Sequence, residues 1–376
     1  MKSIYGIFEI LEDPRDIRGK KHKLIDIVIM TIYGILCGYT DFENLADFLE
    51  VHEEYFTNLL DLKNGIPSHD TFSRVFAIIN PQEFMNLFIE WIKEIVKENG
   101  TFLSIDGKAI KSAINKINGG NTPYIVSAFL GDIGLSIGQV KVKDKTNEIT
   151  AIPALLDLID IKGKIVTIDA IGTQGEIANK IIIDKKADYI LKVKKNQKDL
   201  LDDVKTYFTL GLRRDSTDIA IVDTYDKDHG RIEHRKYHLS YDVSGIHDKD
   251  KWKSVKAVGY IEVTREERNK VTKKKHYYIL SKRMDIDTFI NSTRAHWNIE
   301  CSLHWRLDVI FNEDHSRNRN GYSIENLSTI RKIVFNLTKL DCSMGNNLTL
   351  KKKITRYIND FHNIENLLFK VIPSFS

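Results

Sequence analysis

The spacing of apolar residues changes period near residue 100, and that change most constrains the fold. Before it, apolar positions recur at helical spacing. Lys23–Gly38 reads as a buried helix, and FENLADFLEVHEEYFTNLL as an amphipathic one with acids between its apolar positions. PQEFMNLFIEWIKEIVKEN is a third helix, closed by Gly100, and Pro67 and Ser68 mark the start of a short one in GIPSHDTFSRVF, with Ser68 as its N-cap. After the change, short apolar runs alternate with helical ones. TFLSIDG and KIVTIDAIG are strands ending in an aspartate, YIVSAFLGDIGLSIGQVKVKD is a hairpin turning at Gly131–Gly134, and DYILKVKKN is a further strand. ITAIPALLDLID is a helix with Pro153 near its first turn, Thr173 and Glu176 form a capping box for another, and NQKDLLDDVKTYF is a third. That order predicts an α/β fold whose mixed sheet meanders first and runs parallel afterwards.

Between about Arg213 and Lys282 the chain is β-rich and charged, with strands in RIEHRKYHLSYD, SVKAVGYIEVTREE and KKHYYILSK; it is helical again from Asp285 through ENLSTIRKIVFNLTKL. The expected organisation is an all-α N-terminal DNA-binding or associated domain at 1–98, an α/β core in two parts at 99–212 and 284–340, a β-rich insertion at 213–283 before the last core helix, and a helical tail at 341–376. Net charge is only +4 over 376 residues, so bulk charge does not mark a nucleic-acid binder and local clustering must carry that case. Cys37, Cys301 and Cys342 are far apart with no CxxC pair, which argues against a disulfide framework or a structural zinc site and fits a reducing cytoplasm. MKSIYGIFEILEDPRD carries acids where a secretory leader has its apolar core, and Leu24–Tyr39 is too short to span a bilayer and contains Asp26 and Thr31, so no membrane partner is expected.

The two strand-end acids, Asp106 in FLSIDGK and Asp169 in IVTIDAIG, sit where open α/β sheets build their sites. A carboxylate in an apolar run is costly to bury without a counter-charge, and Mg²⁺ or Mn²⁺ suits grouped oxygen ligands. Either acid alone reads as an aspartate capping the next turn; two alike in one sheet read as a site. In HWNIECSLHWRLDV, His296, Glu300, His304 and Asp308 stand four apart on one helix face, drifting by about 40° per step. A His–Glu–His zinc cluster lacks an identifiable further ligand, and a solvated polar row is the plain alternative. The preferred reading points Glu300 at the two aspartates, with histidines and arginines holding phosphates around it. Three carboxylates could then bind two divalent ions about 4 Å apart and clamp an in-line phosphoryl displacement.

The chain resembles the ISAs1-type transposases, within the IS4-like DDE transposases with an RNase H-like core. The blocks that carry the resemblance are FEILEDPRDIRGKKHKLIDIVIMTIYGILCGYTDFENLADF, PSHDTFSRVF, SIDGKAIKSA, KTNEITAIPALLDLIDIKGKIVTIDAIGTQ, HGRIEHR, RAHWNIECSLHWRLDVIFNEDHSRNR and ENLSTIRK, in that order. The resemblance implies an RNase H-like mixed sheet flanked by helices, with Asp106, Asp169 and Glu300 as the catalytic, metal-binding acids. Thr293, His296 and Leu307 fall where the wider group has the Tyr, Arg and Lys of its signature, and Cys301 stands where this branch usually shows Asn. It implies two Mg²⁺ or Mn²⁺ ions per site, Asp106 shared between them. A phosphodiester at an element end is cut, and the freed 3′-OH then attacks target DNA in the same site. The implied partners are double-stranded DNA, at element ends and target, and a second copy of the chain on that DNA; the implied location is bacterial cytoplasm, associated with the nucleoid.

Phosphate contacts are expected from Lys108 and Lys111, from Lys192 and Lys194, which share a strand face, and from Arg306 and Arg317, with His296 and His304 beside them and Arg294 as a further candidate. The insertion offers Arg231 and Arg235, and Trp252, which reads first as a core residue. Ser68–Phe76 is a candidate recognition helix presenting Arg74, and the run Arg15, Arg18, Lys20, Lys21, Lys23 either tracks phosphates or keeps the terminus solvated. The alternatives are a catalytically idle, transposase-derived DNA-binding protein and a nuclease that cuts without joining.

Overall fold

Nine strands, among the described residues, form one sheet. The computed structural model describes residues 2–111, 122–142, 148–213, 218–228, 231–267, 270–345 and 348–372; parts of the blocks SIDGKAIKSA, KTNEITA and HGRIEHR lie outside them. The helical region runs through α1 (Ile4–Phe8), α2 (Leu24–Leu36), α3 (Phe42–Val51), α4 (Glu53–Leu60), α5 (His69–Ile78) and α6 (Pro81–Val96). Then come β1 (Phe102–Ala109), β2 (Tyr124–Leu130), β3 (Leu135–Val142), α7 (Glu148–Leu158), β4 (Ile165–Ile168), α8 (Gly175–Asn179), β5 (Asp188–Val193) and α9 (Lys198–Arg213). The insertion holds β6 (Ile219–Asp228), β7 (Arg231–Ser240), β8 (Ala257–Glu267) and β9 (Lys270–Leu280). The chain ends with α10 (Ile286–Asn298), a π-turn at Ile299–His304, α11 (Trp305–Val309), α12 (Ser323–Leu340), α13 (Leu350–Asn359) and α14 (His362–Phe369).

β1, β2 and β3 meander antiparallel, while β1, β4 and β5 run parallel. This is the RNase H-like mixed sheet that the resemblance implies. Helices cover both faces. Ser104 on β1 donates to the Ala295 carbonyl of α10, while a Cβ at Gly107, on the opposite pleat, would meet the Glu148 carboxyl of α7. The insertion continues this sheet: β9 pairs antiparallel with β5, and β8, β7 and β6 follow. β6 is a strand that pattern reading misses, because IAIVDTYDKD is an edge strand with acids spread along it.

α2 is buried along its whole length, packed by α1, α3, α12 and α14, which accounts for its continuous apolar run. Among the described residues no helix is long and apolar enough to cross a membrane. The C-terminal helices return to this layer: Tyr33 and Tyr55 share a 2.6 Å hydrogen bond, Tyr55 donates to Glu365, and Phe361 packs edge-on against Tyr33.

Local corrections have simple causes. β1 does not end at Asp106; it runs to Ala109 on β2, although its pairing with β4 ends at Ile105–Ile168. Thr173 forms no capping box, because its hydroxyl donates to the Lys192 carbonyl 2.6 Å away and α8 starts after Gln174. Ser68 occupies the N-cap of α5, but its hydroxyl lies against Thr71 Oγ1 and bonds no backbone N–H. Trp252 is buried in the core.

Candidate active site

The pairing of β1 with β4 stops at Ile105, so Asp106 stands on a strand whose edge has just become free. Asp169 follows the last residue of β4. The two acids therefore border one notch at the C-terminal end of the parallel strands, together with Tyr124, Glu148, Lys194, Lys195 and Asn196. Topology alone puts a site there.

The helical segment over this notch is held by polar stitches. Thr167 of β4 donates to Ser104 Oγ and lies 3.0 Å from His296 Nδ1. His304 Nδ1 lies 3.5 Å from Asp106 Oδ2, and Asp308 Oδ1 is 2.6 Å from Lys108 Nζ. His296, His304 and Asp308 thus all face the strands, as the four-residue spacing predicts. In an ideal α-helix that row would drift by about 40° per step. The π-turn at Ile299–His304, with its wider i→i+5 loop, takes up the drift, and such turns recur at functional sites. Glu300 lies on it, exposed, and borders a second cleft with Asp169, Lys192, Lys194, His296 and Trp297.

The electrostatics separate the acids. Burial raises the Asp106 carboxyl to about 7, and the neighbouring carboxylates of Glu300, Glu148 and Asp169 add to the rise. Burial would raise Asp169 too, but the Ala170 N–H and the ammonium groups of Lys194 and Lys192 reverse that and hold it low. Lys194 Nζ lies 3.1 and 3.2 Å from its two oxygens. As the side chains stand, no three His, Cys, Asp or Glu among the described residues converge closely enough to hold an ion. Burial lowers His296 to about 4 and His304 to about 3, so both are neutral at pH 7 and neither offers a phosphate a positive charge.

Of the expected phosphate ligands, Lys192 and Lys194 line the cleft and Arg74, Lys111 and Arg317 are exposed. Lys108 is a correction. Its side chain is only 9% exposed, and its ammonium contacts Asp308, Glu313 and Asp314 at 2.6, 2.9 and 3.2 Å, so it is not turned to a ligand. Arg306 is half-buried, its guanidinium lying over the Phe335 ring. Arg231 and Arg235 both pair with Glu233, and Arg235 and Arg294 both bond Asp226. These arginines line a third cleft with Arg265, Lys274, His276 and Trp297, next to the cleft of Glu300.

Glu148 is the site-bordering acid that pattern reading did not single out. An acid in the first turn of an apolar helix is the commonest of helix-start signals, and only its burial beneath Asp106 separates it from that background.

The family described as Transposase DDE domain matches residues 100–337, and the one described as DDE_Tnp_1-associated matches residues 5–92. YncI of Escherichia coli O157:H7, named as a transposase, is 38% identical over 91% of this chain and 88% of its own length. YhhI of Escherichia coli strain K12, named as an H repeat-associated transposase, is 36% identical over 91% of each chain. The solved piggyBac transposase synaptic complex with hairpin DNA aligns over 98% of this chain and 84% of that one, with a TM-score of 0.42 and 12% identity.

Proposed function

The chain belongs to the Transposase DDE domain family, and from that premise we propose that it cuts phosphodiesters at insertion-sequence ends and transfers the freed 3′-OH strand to target DNA, with Asp106, Asp169 and Glu300 as its catalytic acids. The observation that carries the reading is the state of Asp106. It is half-buried at the end of the parallel strands, and the groups that act on it most strongly are carboxylates. A polyanionic backbone cannot approach such a notch unless dications neutralise it. An all-oxygen donor set fits Mg²⁺ or Mn²⁺, and Asp106, Asp169 and Glu300 would hold two such ions. When bound, they supply water activation and charge neutralisation at the phosphodiester.

The chain's own residues do the rest. Lys192 and Lys194 face the cleft as phosphate contacts, so the Lys194–Asp169 pair opens when DNA and cations arrive. Thr167 and His296 hold α10 against β4 and thereby fix where Glu300 stands. The arginine-rich cleft of the insertion extends the cationic track away from the acids. End recognition is assigned to the helical region before residue 98, where Arg74 is exposed on α5. Holding two element ends together assigns a homodimer on DNA.

The test is cleavage of flanked element-end DNA with Mn²⁺, followed by strand transfer from pre-cut ends into a plasmid. Wild type is expected to do both. Asp106→Ala, Asp169→Ala and Glu300→Ala are expected to do neither while still shifting end DNA in a gel. Cutting retained by all three variants would sink the reading; cutting without transfer by wild type would reduce it to a nuclease.

A further inference from the structure

We infer that the outer face of the insertion, the one turned away from the arginine-lined cleft, binds a single DNA strand, with Tyr225 stacking on an unpaired base and the lysines around it meeting phosphates. The inference does not rest on the acids at the strand ends. Successive side chains of a strand point to opposite faces. Arg231, Glu233, Arg235 and Tyr237 of β7 line the cleft, so His234 and Lys236 of the same strand face the other way. The register sets Tyr225 of β6, His234 of β7, Thr264 of β8 and Lys273 of β9 in one row across that outer face. α9 covers one end of the face, where Phe208 packs on His238 and Tyr260. At the row of Tyr225 the face is open to water, and Tyr225 is 72% exposed.

The Tyr225 ring is held flat. It lies parallel to the His234 imidazole, with centroids 4.3 Å apart and planes 4° apart, and His234 Nε2 is 2.5 Å from Asp223 Oδ1. A cross-strand aromatic pair supports a sheet by itself, but it does not require a large ring left open on an edge strand, where such surface invites association. A π-face fixed on a rigid sheet loses little freedom when a base stacks on it. The charges around it choose the occupant. Lys227, Lys236, Lys273 and Lys275 share this face with Asp223, Glu262 and Glu266. Asp223 is taken up by His234, and Glu262 accepts a hydrogen bond from the Tyr260 hydroxyl 2.9 Å away. A ring set among lysines suits a strand whose bases are free to stack and whose phosphates seek cations. A duplex would offer the ring no base face, and a second copy of this face would bring lysines against lysines.

The experiment measures binding of the full chain, without divalent metal, to a labelled single strand of mixed sequence and to the corresponding duplex. Fluorescence anisotropy is followed across a salt series, with melting and light scattering alongside. Wild type is expected to bind the single strand. Tyr225→Thr, which keeps a strand-forming residue, should weaken that binding by at least about fivefold and leave duplex affinity unchanged, while Tyr225→Phe, which keeps the ring, should bind like wild type. Lys273→Ala and Lys275→Ala should each reduce the slope of log single-strand affinity against log salt by about 0.7. No single-strand binding by wild type, or wild-type affinity in Tyr225→Thr, overturns the inference. A Tyr225→Thr protein that melts lower with unchanged strand affinity makes the Tyr225–His234 pair a support of the sheet and likewise overturns it. A changed oligomeric state with unchanged strand affinity assigns the face to a second copy and does the same. Each of these failures leaves the proposed function standing, since cutting of element-end DNA decides that separately.

Discussion

Asp106 and Lys108 are two residues apart on one strand and face the same helical layer, yet their surroundings are opposite. Lys108 is enclosed by Asp308, Glu313 and Asp314; Glu313 in turn contacts Ser328, and Lys332 bonds Ser328 and Gln139. Burial would raise the Glu313 carboxyl, but Lys108, Lys332 and Arg331 outweigh it and hold it at about 2. Around Asp106 the neighbours are acids, and its carboxyl is pushed up to about 7. The first cluster carries its own counter-charges and ties the segment after Glu300 to the strand. In the second, Lys194 and Lys192 act on Asp169, and the Asp106 carboxyl is left among acids. Buried charge that serves the fold is balanced within the chain; buried charge that serves a ligand is not.

The largest effect should come from removing the unbalanced charge. Asp106→Asn is expected to lower end cutting by at least about a thousandfold and to melt no lower than wild type, since the repulsion it relieves costs the fold stability. A variant that cuts normally, or that unfolds, would merge the two clusters into one structural role. The balanced cluster should respond the other way. Lys108→Met leaves three carboxylates, that of Glu313 fully buried, without their shared cation and should cost roughly 3–5 kcal/mol in urea unfolding. A loss below about 1 kcal/mol would mean that solvent already screens the cluster, and the contrast would fail.

A smaller effect separates the clusters by pH. Asp106 has a folded value near 7 against an unfolded value near 4, so the folded state holds the extra proton between those limits. Metal-free stability should therefore fall as pH rises through that window, by about 2 kcal/mol given the water that reaches the notch. Asp106→Asn should abolish this slope. Glu313 has the opposite sign: its folded value near 2 lies below its unfolded one, so its contribution is present above about pH 4.5 and lost as pH falls toward 2. Unfolding free energies of wild type and Asp106→Asn, measured from about pH 2 to 8, decide the matter.

How much of this was legible depended on how far apart the interacting residues lie in the chain. Asp106 and Asp169 could be read because each closes its own apolar run, and the four-residue row from His296 to Asp308 because its members share one helix. The alternation of strands and helices indicated the meander and the parallel strands after it for the same local reason. Lys108 could not be read correctly. On its own strand it looks like a free cation beside an acid, and the carboxylates that enclose it come from Asp308 to Asp314, about two hundred residues later. Glu148 was hidden by resemblance to an ordinary helix start, since burial at one turn leaves no periodic signature. The π-turn at Glu300 left none either, because a spacing of four is compatible with plain α-helix until the facing strands are known.

The smallest expected effect tests whether proximity to the balanced cluster is enough to belong to it. Lys111 also reaches Asp314, at 3.0 Å, but its side chain is 77% exposed where that of Lys108 is 9%. An exposed ion pair of this kind gains little Coulomb energy in water and loses side-chain freedom. Lys111→Ala should therefore shift unfolding by no more than about 0.5 kcal/mol. If Lys111 turns to a DNA phosphate when the element end binds, the same substitution should reduce the slope of log affinity against log salt by about one. Stability unchanged with a reduced salt slope makes Lys111 a ligand-facing cation, as Lys108 is not. A stability loss comparable to that of Lys108→Met would extend the balanced cluster to the surface and move the border between the two regions.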